Sequence, residues 1–157
     1  MKKLKIYLDT SIWNFIFADD APEKQEITKQ FFSIIKKFEI YISDVVLGEV
    51  DKASEQKKKI LKEIILKYNP VILDGDPEIE RIANIYIKKE VIPKSKYDDA
   101  LHIAFSTYYE MDILLSWNYK HLANFTKKIK VLSVNLNEGY DKPLELITPI
   151  EVIGNDE

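Results

Sequence analysis

Apolar side chains at Leu4, Ile6 and Leu8 alternate with Lys5 and Tyr7, and the pattern stops at a carboxylate followed by two hydroxyls, Asp9-Thr10-Ser11. A period of two is that of a strand entering a core, and an apolar helix-like run, residues 12–17, follows it. Ile27, Phe31, Ile34, Ile35 and Phe38 then recur at helical spacing. Pro22 suits the first position of that helix, with Glu23 and Glu26 near the positive end of its dipole. Residues 39–43 form a second strand rich in β-formers, and 44–50 open a helix capped by Ser43 or Asp44. A stripe of Ile60, Leu61, Ile64, Ile65 and Tyr68 predicts a helix over 54–68 that stops at Asn69-Pro70. Residues 71–73 read as a third strand, 74–76 as a turn, 77–90 as a helix and 91–94 as a loop. Ser95 and Asp98 have the spacing of a capping box before a helix that is apolar on most sides. A fourth strand is expected at 112–116, a short helix at 117–122 and a fifth strand at 130–134. Residues 138–157 show no period and read as an extended arm. Strands alternating with helices predict a three-layer α/β/α domain spanning 1–157, with a central parallel sheet of about five strands.

Composition narrows the function classes. A chain of 157 residues, 46% hydrophobic and 31% charged, is ordinary for a soluble globular domain. The absence of cysteine excludes disulfides, thiolate metal sites and a cysteine nucleophile. No apolar run approaches the roughly 18 residues of a membrane span, and the N-terminus lacks the apolar core of a signal peptide. The expectation is a cytoplasmic protein with no membrane partner. A net charge of −3 argues against a molecule that is basic as a whole. Lysines nevertheless gather in the second half, at Lys88, Lys89, Lys94, Lys96, Lys120, Lys127, Lys128 and Lys130. They read either as solvated helix surface or as contacts for a polyanion. Arg81 is the only arginine, which weakens any case for bidentate phosphate or guanine recognition.

The candidate chemistry is acidic. In an open parallel sheet, residues just after the strands gather at the carboxyl edge. Asp9 follows the first strand, Glu49 lies in the helix after the second, Asp99 begins the helix before the fourth, and Asn118 follows the fourth. Like charges in one cleft cost several kcal/mol unless compensated, and a divalent cation supplies that compensation. An all-oxygen set suits Mg²⁺ or Mn²⁺ rather than zinc. Each residue also has a plainer role. Asp9 is a good helix cap, Glu49 can turn outward, and Asp98 and Asp99 suit a first helical turn. His102, one turn beyond Asp99, either hydrogen-bonds that acid or is a core or surface histidine. Asp112 precedes its strand and reads as a turn residue at the opposite edge.

Four segments, Tyr7-Leu8-Asp9-Thr10-Ser11, Gly48-Glu49-Val50, Asp99-Ala100-Leu101-His102-Ile103-Ala104 and the stretch from Leu114 to Leu122, resemble the successive motifs of PIN domains, in order and at fitting intervals. The resemblance covers Ile6 to about Val134. It implies a metal-dependent ribonuclease, often dimeric, whose small members include the VapC-type toxins that pair with an antitoxin protein. It implies Asp9, Glu49 and Asp99 as metal-binding acids, with Mg²⁺ or Mn²⁺ as cofactor. Asn118 stands where many members carry a fourth acid, so an amide replaces a charge. Thr10, Ser11, His102 and Ser116 are the polar groups expected to support these residues, and Lys94, Lys96 and Lys120 the cations expected to meet an RNA backbone. The alternative is a catalytically weak or inactive PIN-like module that binds RNA or protein. An aspartyl phosphatase of the haloacid dehalogenase type is disfavoured, because Ser11 stands where a second Asp is needed. No glycine-rich phosphate loop occurs.

Overall fold

The computed structural model describes residues 2–118 and 124–154. Its strands are β1 (Leu4–Leu8), β2 (Phe38–Ser43), β3 (Val71–Leu73), β4 (Ile113–Leu115) and β5 (Glu145–Ile147). They form one all-parallel sheet in the order β3-β2-β1-β4-β5. Ile6, Tyr7 and Leu8 are all fully buried, so the alternation in β1 separates two covered faces rather than core from solvent. That is what a central parallel strand requires. The chain builds outward from β1 to β3, crosses back, and continues from β4 to β5. The reversal falls between β1 and β4, whose carboxyl ends are where such sheets take ligands.

The helices among the described residues are α1 (Thr10–Phe15), α2 (Pro22–Ser33), α3 (Asp44–Asp51), α4 (Glu55–Tyr68), α5 (Pro77–Lys88), α6 (Tyr97–Tyr108), α7 (Phe125–Asn137) and α8 (Pro149–Ile153). Asp9, Ser43, Ser54, Asp76 and Asn124 each cap a helix by accepting a first-turn amide, typically worth about 1 kcal/mol. Pro22, Pro77 and Pro149 begin three of them. α5, α6 and α7 pack together on the face that carries Tyr7, whose ring stacks on Phe105 of α6. α1, α2, α4 and α8 make the opposite layer, and α3 touches α1, α4 and α6. The architecture is therefore α/β/α. No helix among the described residues is long and apolar enough to cross a membrane.

Several expectations need correcting. Residues 130–134 are helical, not a strand: within α7, Val131, Val134 and Asn135 bury one helical face. A five-residue stretch with two valines imitates a strand only while its burial pattern is unknown. The outer strand is β5, inside the segment expected to be an extended arm. That segment also carries α8, which packs on α2. Three residues are too few to display a period, and pairing with β4 is what makes β5 a strand. Phe38 opens β2 instead of completing the α2 stripe, because α2 ends at Ser33 and a 3-10 turn (Ile35–Lys37) intervenes. The capping box at Ser95 and Asp98 does not form. A 3-10 turn (Lys94–Lys96) leads directly into α6, which has no side-chain cap. Most of the short helix expected over 117–122 lies outside the described residues.

Candidate active site

Asp9 lies at the end of β1, 3% exposed. Its Oδ1 accepts from the Ser11 amide (3.1 Å) and hydroxyl (2.5 Å), and its Oδ2 from the Ser116 hydroxyl (2.6 Å). It therefore caps α1 and also faces the end of β4. Ser11 completes the join by accepting from the Trp117 amide at 2.9 Å. Burial pushes the Asp9 carboxyl above its ordinary range, with Glu49 adding to the rise, while His102, Ser11 and Ser116 pull it back only in part.

Glu49 projects from α3. Its Oε1 accepts from the Thr10 hydroxyl at 2.8 Å and stands 2.7 Å from Nε2 of His102. Burial raises the Glu49 carboxyl, but the hydrogen bond and charge of His102, with the Thr10 hydroxyl, leave it below the ordinary value. His102 is itself 1% exposed. Burial disfavours its charged form, yet Glu49, Asp9 and Asp99 outweigh that and raise its pKa. Its partner is Glu49, neither Asp99, one helical turn away, nor none at all, the two readings the sequence left open. α6 turns the ring toward α3, which it touches.

Asp99 meets Asn118, whose amide nitrogen donates to Oδ2 at 3.0 Å. The Asn118 backbone amide donates to Ser116 Oγ at 2.9 Å. A chain of contacts thus runs from Asp9 through Ser116 and Asn118 to Asp99. Burial first, and then the charges of Asp9 and Glu49, push Asp99 up to about 6. An aspartate at position 118 would repel Asp99; the amide holds it.

Glu49, Asp99 and Asn118 share a cleft of about 370 Å³ whose other walls are Ser95, Lys96, Tyr97 and Asp98. Asp9 is not among those walls. Lys96 lies on the rim, and Lys94 is exposed in the same 3-10 turn. Lys120 lies outside the described residues. Among the described residues, no three acidic, histidine or cysteine side chains close into a ready-made cation cage. The donors fit a hard divalent cation in type and charge nonetheless. Mg²⁺ keeps several waters and needs only one or two carboxylates from the protein, and burial holds two of the acids here above their ordinary pKa. Sequence reasoning missed Asp98 and Tyr97 as cleft walls. It also missed Tyr7, whose hydroxyl reaches His102 Nδ1 at 2.7 Å and Ser43 Oγ at 2.7 Å. The one available signal was a hydroxyl in the apolar half of the first strand.

A family model described as PIN domain matches residues 6–124. No curated protein matches the chain. Among solved structures, the chain is similar to Mycobacterium tuberculosis VapC20, described as a Sarcin-Ricin loop cleaving toxin. The identity is 17% and the TM-score 0.58, covering 74% of this chain and 92% of that one. It is also similar to a chain of VapBC2 from Rickettsia felis, solved bound to a DNA fragment from their promoter. There the identity is 17% and the TM-score 0.54, covering 74% and 90%. At such identities the likeness is one of fold.

Proposed function

The chain belongs to the PIN-domain family, and on that premise we propose that it is a divalent-metal-dependent endoribonuclease. The observation that supports the proposal is the run of contacts from Asp9 through Ser116 and Asn118 to Asp99, beside a cleft that Glu49 also lines, where the sheet order reverses. Asp9, Glu49 and Asp99 would hold Mg²⁺ or Mn²⁺. When bound, such a cation activates water as a nucleophile and neutralises charge developing on the phosphate.

The protein's own residues orient the site. Ser11 and Ser116 fix Asp9 by hydrogen bonds to both oxygens. Thr10 and His102 hold one oxygen of Glu49, and Asn118 holds one of Asp99. Lys96 on the rim, with Lys94 and Lys120, would meet the RNA backbone, which makes binding salt-dependent. A protein of this kind acts in the cytoplasm as a homodimer, and the VapC-type likeness supports a toxin held in check by an antitoxin protein.

One observation favours a second reading, a module that binds RNA or protein with weak turnover: Asn118 adds no charge at the fourth corner. Cleavage of varied RNAs by metal-free and metal-loaded protein separates the two. Metal-dependent cleavage that Asp9→Asn abolishes supports the nuclease. Binding without turnover, or full activity in Asp9→Asn, sinks it. Growth arrest on expression, relieved by Asp9→Asn and by the product of an adjacent reading frame, tests the toxin role.

A further inference from the structure

Glu49 is tied to a run of buried polar groups that the proposed chemistry leaves unused. The Val45 amide donates to Ser43 Oγ at 3.2 Å; Ser43 Oγ lies 2.7 Å from the Tyr7 hydroxyl. That hydroxyl lies 2.7 Å from His102 Nδ1, and His102 Nε2 lies 2.7 Å from Glu49 Oε1. Ser43, Tyr7 and His102 are at most 1% exposed. One assignment satisfies every group: each donor points along the run, from the amide through the serine and tyrosine hydroxyls to a neutral imidazole whose Nε2–H meets the carboxylate. If the ring is charged, Tyr7 accepts from Nδ1–H instead, and Nε2–H still faces Glu49. In both forms the tyrosine decides which nitrogen points at the acid. Buried hydrogen bonds in such a chain polarise one another.

The run also closes on itself. Ser43 caps α3, and Glu49 lies within α3. The helix is thereby fixed to β1 and α6 at both its cap and its acid. With Thr10 and His102 both on Oε1, Oε2 is left for the cleft. A phenylalanine at position 7 would keep the stacking on Phe105 but leave Ser43 Oγ and His102 Nδ1 without their shared partner. What the hydroxyl adds is the direction of His102.

We propose that Tyr7 is a positioning residue for Glu49: acting through His102, it orients the carboxylate for a divalent cation. The proposal rests on the reading that Glu49 helps to hold that cation. Residues that orient a metal ligand from behind typically change affinity about 10–100-fold.

The control is Tyr86, equally buried, whose hydroxyl joins Thr107 and Asn135 rather than His102 or an acid of the cleft. Titration calorimetry with Mn²⁺ on the full chain should show Tyr7→Phe weakening binding by about 10–100-fold, with Tyr86→Phe near wild type. Wild-type affinity in Tyr7→Phe overturns the proposal, and so does equal weakening in both variants, which would mark a loss of stability only. Should Tyr7→Phe fail to fold, ¹H–¹⁵N imidazole spectra of the wild type decide. A proton on Nε2 of His102 supports the relay, and a bare Nε2 overturns it. Absence of Mn²⁺ binding by the wild type would remove the cation reading instead, leaving those spectra to judge the relay alone.

Discussion

The two edges of the sheet treat their aspartates in opposite ways. At the amino edge, Asp112 accepts the Lys5 amide at 2.8 Å and pairs with Lys142 at 3.1 Å. Burial pushes its pKa up, but the amide and the Lys142 ammonium leave it below the ordinary value. At the carboxyl edge, Asp9 and Asp99 meet hydroxyls, an amide and one imidazole, with Lys96 the weakest of the influences on Asp99, and both stay above theirs. One edge has its charge balanced by the fold; the other holds charge that the fold itself disfavours. A carboxylate kept under those conditions is spent on something other than stability.

Four measurements break or sharpen that contrast. The largest effect belongs to Asp9→Asn. It should reduce metal-dependent RNA cleavage by more than about 100-fold, beyond what residues behind a ligand produce. Next is Asp99→Asn, which keeps an acceptor for Asn118 while removing a disfavoured charge. It should weaken Mn²⁺ binding yet raise the melting temperature of the metal-free protein. A shift from 3.8 to about 6, discounted for the solvent that reaches Asp99, corresponds to about 1 kcal/mol, or roughly 2–4 °C for a chain of this size. A fall in melting temperature would contradict the account of this edge.

The pH dependence is smaller, and its sign follows from the shifts. Asp99 binds its proton more tightly folded than unfolded, so its unfavourable contribution is present above about pH 6 and is relieved as pH falls toward 4. His102, raised above 6.5, contributes stability below that value that is lost as pH rises through its folded pKa. Glu49 and Asp112 are lowered, so their contributions are lost as pH falls below about 4. Metal-free protein should accordingly be most stable near pH 5–6, and saturating Mn²⁺ should flatten the decline toward pH 8. Melting curves across pH, with and without the ion, check this. The smallest effect is Lys142→Ala: about 0.5 kcal/mol of stability for a half-exposed pair, and unchanged cleavage.

The sheet's centre was legible because its residues repeat a short rule: strands of β-formers ending on hydroxyls and acids that also start helices. Asp9 as a possible cap, and Ser43 or Asp44 as the next one, can be read for that reason, and the structure has Asp9 and Ser43 as caps. The edge was not legible. α7 and β5 exchange the roles expected of 130–134 and the arm, because neither burial of Val131 nor pairing of Leu146 with Leu114 is a local property. In the site, the candidate acids can be named from sequence by their place along the chain, Asp9 just after β1, Glu49 within α3 and Asp99 in the first turn of α6. The partner of His102 is not, because it depends on how α6 approaches α3. Tyr7 was invisible for a related cause: a buried tyrosine in a strand looks the same whether its hydroxyl is idle or aimed.

β5 pairs with β4, and the amide of Ser116 donates to the carbonyl of Ile147 at 3.0 Å. The serine that grips Asp9 is therefore anchored by a residue thirty-one positions later. During synthesis the first 118 residues can emerge without that anchor, and the exposed rim of β4 is then an open template for any passing strand. Completion of the acidic cleft is thereby coupled to one of the last pieces of the fold to be made. A nascent chain holds Asp9 without its fully anchored serine until the segment that also seals its sheet has arrived.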